Sequence, residues 1–155
     1  MNGKKRKIAM ITISILLLAV VSVFFMMGKF SARQTPLGVG SEQDFICGSN
    51  PNCVSSVGVQ TSRQSVEPLN LAGLENAERS LLNAVRATGG QIRNIDAGML
   101  TAEYKSTVFG FVDDVLIKID DSGQRADIIS RSRVGYSDFG VNRKRVEKVR
   151  DALVR

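Results

Sequence analysis

The chain has 155 residues and a formal net charge of +6 at neutral pH, 21 Lys and Arg against 15 Asp and Glu, with no histidine and no tryptophan. That length holds one modest domain plus an appendage and excludes two full domains. Without histidine, a Ser-His-Asp or Cys-His catalytic arrangement within the chain is excluded, and the commonest ligand for zinc, copper or iron is missing.

The basic excess is confined to one end. Lys4, Lys5, Arg6, Lys7, Lys29 and Arg33 precede the first acidic residue, Glu42, and from Gln34 onward 15 basic residues face 15 acidic ones. A phosphate-binding domain needs its cations clustered on the domain itself, so no nucleic-acid partner is expected.

The first predicted element is Ile8–Gly28, IAMITISILLLAVVSVFFMMG, an uncharged run of 21 residues. As a helix it covers about 30 Å, the thickness of a bilayer's hydrocarbon core, and it lacks the polar face of a soluble helix. Residues 8–28 therefore read as a transmembrane helix with the lipid bilayer as partner. Four cations before the run against two after it place residues 1–7, a basic tail, in the cytoplasm. The remainder lies outside, which in a bacterium means the inner membrane with a periplasmic domain. A cleaved signal peptide is the competing reading. It fits less well because Phe30 is bulky at the −3 position for cleavage after Ala32. Either reading puts the domain in the same compartment.

Residues 29–45 read as a linker, with Pro36 and glycines in Ser31–Gly40, and residues 46–155 as the extracytoplasmic domain. Cys47 and Cys53, the only cysteines, enclose Gly-Ser-Asn-Pro-Asn, all turn formers. Outside the cytoplasm such a pair is expected to be oxidised together, contributing about 2 kcal/mol for so short a loop. A redox-active pair is the weaker alternative, since such motifs usually have two intervening residues. No metal site is expected, for want of further soft ligands.

Val57, Val59 and Thr61 alternate within Val54–Val66 and predict a short strand. Pro68 closes it, and Asn70 is positioned to cap a helix starting near Leu71, with Leu71, Leu74, Leu81, Leu82 and Val85 on its apolar stripe. Gly89 and Gly90 end that helix. Ile92–Asp96 predicts an edge strand. Met99–Val108 alternates, with Leu100, Ala102, Tyr104 and Val108 on one face. Val112–Asp120 puts Val115, Ile117 and Ile119 on one face with Asp114 and Lys118 opposite, and the two form a hairpin about Gly110. Asp121-Ser122-Gly123 is a second tight turn, leading to a strand at Ala126–Arg133. A final helix over Asn142–Val154, with Asn142 as N-cap, has Val146, Val149 and Leu153 on one side and Arg143, Lys144, Arg145, Lys148 and Arg150 on the other. Turns this short force antiparallel pairing. The expected fold is α+β: a three- to five-stranded antiparallel sheet with two helices packed on it, behind one transmembrane helix.

The strings PNCVSS (Pro51–Ser56), FGFVDDV (Phe109–Val115) and SRVGYSDFGVNRKRVE (Ser132–Glu147) resemble the bacterial and plastid family designated domain of unknown function 1499. The similarity runs from about Pro36 to the C-terminus. It implies a shared fold and an N-terminal export or membrane segment, and it implies no reaction or cofactor. The family tends to carry Arg-Ser-small-Ser-Arg on the fourth strand. Here the sequence is Ile129-Ser130-Arg131-Ser132-Arg133, which is taken to move one arginine to the opposite face.

The candidate site comprises Glu103, Asp113 and Asp114 at the hairpin, with Arg133, Tyr136, Asp138, Asn142, Arg143 and Arg145 on the last strand, its loop and the final helix. One reading is structural: Arg133 pairs with Asp113 or Asp114, and Asp138 braces Arg143. The other is a cleft whose forked arginine donors take an anionic envelope ligand, a lipid head group or a carboxylate. A binding or accessory module is thus the expected function, acting on an envelope component or a neighbouring membrane protein. The alternatives are a structural subunit of a membrane complex and a hydrolase or transferase using a carboxylate with arginines. Asp113 and Asp114 are neighbours on a strand and point to opposite faces, which counts against shared acid–base work.

Overall fold

The structure is a computed structural model that describes residues 3–38, 42–58 and 61–154. It opens with α1, Gly3–Arg33, a 31-residue helix long and apolar enough to cross a membrane. Its side chains are exposed along nearly the whole length, and only Gly28 and Ser31 are buried. The helix runs on past the apolar run, and its last turns pack on the globular part. Ser31 is the anchor point. Its Oγ donates to the Val112 carbonyl at 3.1 Å and accepts from the Val112 amide at 3.0 Å. A 3-10 turn at Glu42–Phe45 follows.

Six strands form one antiparallel sheet: β1 (Cys53–Ser55), β2 (Leu69–Asn70), β3 (Gln91–Asp96), β4 (Met99–Lys105), β5 (Val112–Ile119) and β6 (Arg125–Ser132). The order is β1-β6-β5-β4-β3, and β2 also pairs with β6. β1 lies against Ile129–Arg131 and β2 against Arg125–Ala126, so two short pieces share one edge. The meander from β3 to β6 follows the alternation and turn chemistry of the sequence. α2 (Ala77–Ala87) and α3 (Val141–Leu153) complete an α+β domain.

The sheet is buried on both faces, which explains why β5 is covered from Val112 to Ile117. On one face Leu100, Val115, Ile117 and Ile128 pack against Leu81 and Val85 of α2 and Val146 and Val149 of α3. On the other, Leu116 and Ile129 are covered by Leu37, Phe45 and the Cys47–Cys53 pair. Each such side chain contributes about 1.5–3 kcal/mol when fully buried. The segment after α1 is therefore a second layer on the sheet.

Four local expectations change. The α2 helix begins at Ala77, not near Leu71: Gly73 at φ 82 breaks the path, and Asn76 caps by accepting from the Arg79 amide at 2.8 Å. Asn70 instead holds a turn through the Ala72 amide. The strand expected over Val54–Val66 stops at Ser55, where the Ser55 hydroxyl accepts from the Val57 amide and turns the chain; Val59 lies outside the described residues. The N-cap of α3 is Gly140, and Asn142 is wholly buried in the first turn. Arg145 lies on the buried side of α3, not on its cationic face.

Candidate functional site

Strand alternation sends Asp114 to the face carrying the disulfide, and the residues opposite it in register are Glu103 on β4 and Arg131 on β6. Arg133, two residues further along β6, brings its guanidinium onto the Asp114 carboxylate. Nε bonds both oxygens, at 3.1 and 2.9 Å, and Nη2 bonds Oδ1 at 2.6 Å. Nη2 also pairs with Glu103, which Arg93 grips from solvent. The Arg133 and Asp114 side chains are only 4% and 5% exposed, so this is a desolvated cluster. The hydrogen bonds to Asp114 hold the Arg133 pKa above its ordinary value against the opposing effect of burial, with Glu103 adding to the rise. Burial acts to raise the Glu103 pKa, but the bonds from Arg133 and Arg93 outweigh it and hold the carboxyl below its usual 4.5.

Asp113 points the other way, into the layer under α3. Arg145 donates to Asp113 at 2.5 Å and to Ser130 at 2.8 Å, and also donates to the Asn142 side-chain oxygen Oδ1. Asn142 in turn donates to the Asn52 carbonyl at 2.9 Å and to Ser132 at 3.0 Å. Arg145 also stacks over Tyr104, with 4.7 Å from guanidinium carbon to ring centre. Burial raises the Tyr104 pKa, partly countered by the Thr88 hydroxyl and Arg145. Among the described residues no buried side-chain nitrogen or oxygen lacks a partner.

The nine candidate residues thus do not converge. Glu103, Asp114 and Arg133 form one cluster, while Asp113, Asn142 and Arg145 form another through the sheet. Asp138 accepts from the Gly140 and Asn142 amides at 3.0 and 2.7 Å, so it caps α3 instead of bracing Arg143. Arg143 binds the carbonyls of Ser62, Arg63 and Ser65. Tyr136 stands in the loop at 73% exposure. Cys47 and Cys53 form a disulfide with Cα atoms 5.7 Å apart. Among the described residues no His, Cys, Asp and Glu group could hold a metal ion.

One arginine stands apart. Arg131 was expected on the opposite face from Arg133, yet Ile129, Arg131 and Arg133 are two residues apart and share the disulfide face. Arg131 is partly buried, and its side chain has no hydrogen bond or ion pair among the described residues. It lines an open polar cleft of about 510 Å³ with Gln34, Thr35, Asn50, Asn52 and Gly135. The period of two along β6 carries this placement. The cleft's other walls come from irregular segments that have no period to read.

A family model described as "Protein of unknown function (DUF1499)" matches residues 46–153. No curated protein and no solved structure matches the chain.

Proposed function

The chain belongs to the DUF1499 family of proteins of unknown function, and on that premise we propose that it is a single-pass protein of the inner membrane whose domain binds an anionic envelope component. The cations at Lys4–Lys7 support a cytoplasmic N-terminus, and the disulfide supports a periplasmic or equivalent location for the domain. The binding reading is carried by Arg131, a cation whose side chain has no partner among the described residues, in a polar cleft beside two clusters whose charges are compensated. Arginine offers a fork of donors matched to carboxylate or phosphate. Asp113 and Asp114 are both committed to arginines, which gives the hydrolase or transferase alternative no support.

Thermal unfolding of the full chain in detergent, with inorganic phosphate, glycerol 1-phosphate or succinate added, tests this. A ligand that binds only the folded state raises stability by about 2.7 kcal/mol at a hundredfold excess over its Kd. At least one of these anions is expected to raise Tm in a saturable way, and Arg131→Gln is expected to abolish the rise while leaving the ligand-free Tm in place. No saturable rise with any of them, or an equal rise in Arg131→Gln, refutes the anion site and favours a structural subunit.

A further inference from the structure

We propose that the loops at 106–111 and 134–141 form an apolar rim that lies in the headgroup region of the bilayer, so that the domain sits on the membrane surface beside its own helix. This rests on the reading of α1 as a membrane anchor.

The argument starts with depth. The apolar run of α1 ends at Gly28, and Phe24 lies four residues inside it, about 6 Å at 1.5 Å per residue. The Phe109 ring packs on Phe24 and Phe25 with centroids 5.2 and 5.3 Å apart, and Phe111 approaches Phe24 edge-on at 6.4 Å. The contact continues through the backbone at Gly28, where an added Cβ would fall 1.8 Å from the Phe109 carbonyl oxygen. If α1 spans a bilayer, the 106–111 loop is held at the level where the hydrocarbon ends.

The second loop faces the same helix. Phe139 and Val141 stand across an apolar groove of about 250 Å³ from Phe24 and Met27. Phe139 is 91% exposed and is held at φ 54, a left-handed conformation that the Asp138 turn supports. Tyr136 and Val141 on the same loop and Val108 on the first loop are exposed as well. A cluster of large apolar side chains offered to water needs a cover. Aromatic rings next to the end of a membrane span match the polarity of the lipid interface, where Tyr and Trp are enriched. Lys29 and Arg33 follow the run at the same level and are placed to reach lipid phosphates. The occupant that these features share with α1 is the lipid surface itself.

The absence of tryptophan makes the test clean. Single-tryptophan variants Phe139→Trp, Leu17→Trp and Asp121→Trp are reconstituted into phosphatidylcholine–phosphatidylglycerol vesicles whose lipids carry bromine at chosen depths. Asp121 lies in the β5–β6 turn, at the end of the sheet remote from α1. The expected result is blue-shifted emission from Phe139→Trp with strongest quenching by shallow bromines. Leu17→Trp is expected to be quenched by deep bromines, and Asp121→Trp by none. Quenching of Leu17→Trp without quenching of Phe139→Trp overturns the rim and leaves the anchor standing. A blue shift at Phe139→Trp without bromine quenching reports a protein cover and overturns it too. No quenching of Leu17→Trp removes the anchor and the rim together. Tyr136→Trp serves as the second reporter on the same loop if Phe139→Trp does not fold.

Discussion

Replacing Arg133 with methionine keeps the aliphatic stem and removes the guanidinium that joins Asp114 to Glu103. Two carboxylates are then left facing each other at side-chain exposures of 5% and 15%. Removing one partner of a buried ion pair costs about 3–5 kcal/mol, because the remaining charge is left without compensation. Arg93 still holds Glu103 from the solvent side, which places the expected loss near the lower figure, about 3 kcal/mol. That is a large part of the roughly 5–15 kcal/mol a domain possesses. Urea unfolding of the full chain in mild detergent, followed by the fluorescence of the buried Tyr104, measures it. The gap between wild type and Arg133→Met is expected to narrow between about pH 7 and about pH 4, since protonation relieves the stranded carboxylates. Arg131 lies directly opposite Asp114 in register and is a reserve cation. Arg131→Gln combined with Arg133→Met is therefore expected to lose more than the two single variants together. A loss below about 1 kcal/mol at neutral pH, typical of an exposed pair, refutes the reasoning. A gap that does not change with pH refutes it as well.

Three further outcomes follow from the same geometry. Because Glu103 titrates below 4.5 when folded, its contribution is fully present above that value and is lost as pH falls through the lowered one; Glu103→Gln is expected to flatten this acid limb in pH-dependent urea unfolding. Changing both Cys47 and Cys53 to serine is expected to cost about 2 kcal/mol and to make the urea midpoint insensitive to reductant, whereas the wild-type midpoint drops on reduction. Gly28→Ala drives a methyl into the Phe109 carbonyl, so spin labels at Val20 and Val108 are expected to show a broadened distance distribution while domain stability is unchanged; an unaltered distribution contradicts the tight contact.

The meander was legible because β4 alternates, β5 places Val115, Ile117 and Ile119 on one face, and the turns carry Gly110 and Asp121-Ser122-Gly123. The second layer left a trace as well: Leu116 and Ile129 are large apolar residues on the face that reads as polar. The start of α2 was hidden because Leu71 and Leu74 keep helical spacing across Gly73, and both still pack in or against the core from a turn. Arg145 was assigned to solvent by its charge, although Asn142, Arg145, Val146, Val149 and Leu153 recur at the spacing of one helix face. That Asp113 and Asp114 diverge follows from strand alternation, but which arginine each meets depends on register and on where α3 crosses the sheet. Those are properties of the packed chain. The Arg131 cleft was hidden for a similar reason, since Gln34, Thr35 and the disulfide loop reach it only after the segment following α1 folds back over the sheet.

The join at Ser31 and Gly28 has a mechanical consequence. A helix joined by two hydrogen bonds to Val112, the first residue of a central strand, and by a close backbone contact to Phe109 is a stiff axle and not a leash. Turning or tilting that rod swings the Arg131 opening to a new bearing. On the proposed seating of α1 in a bilayer, the direction the cleft faces is thereby set by the bearing of the rod.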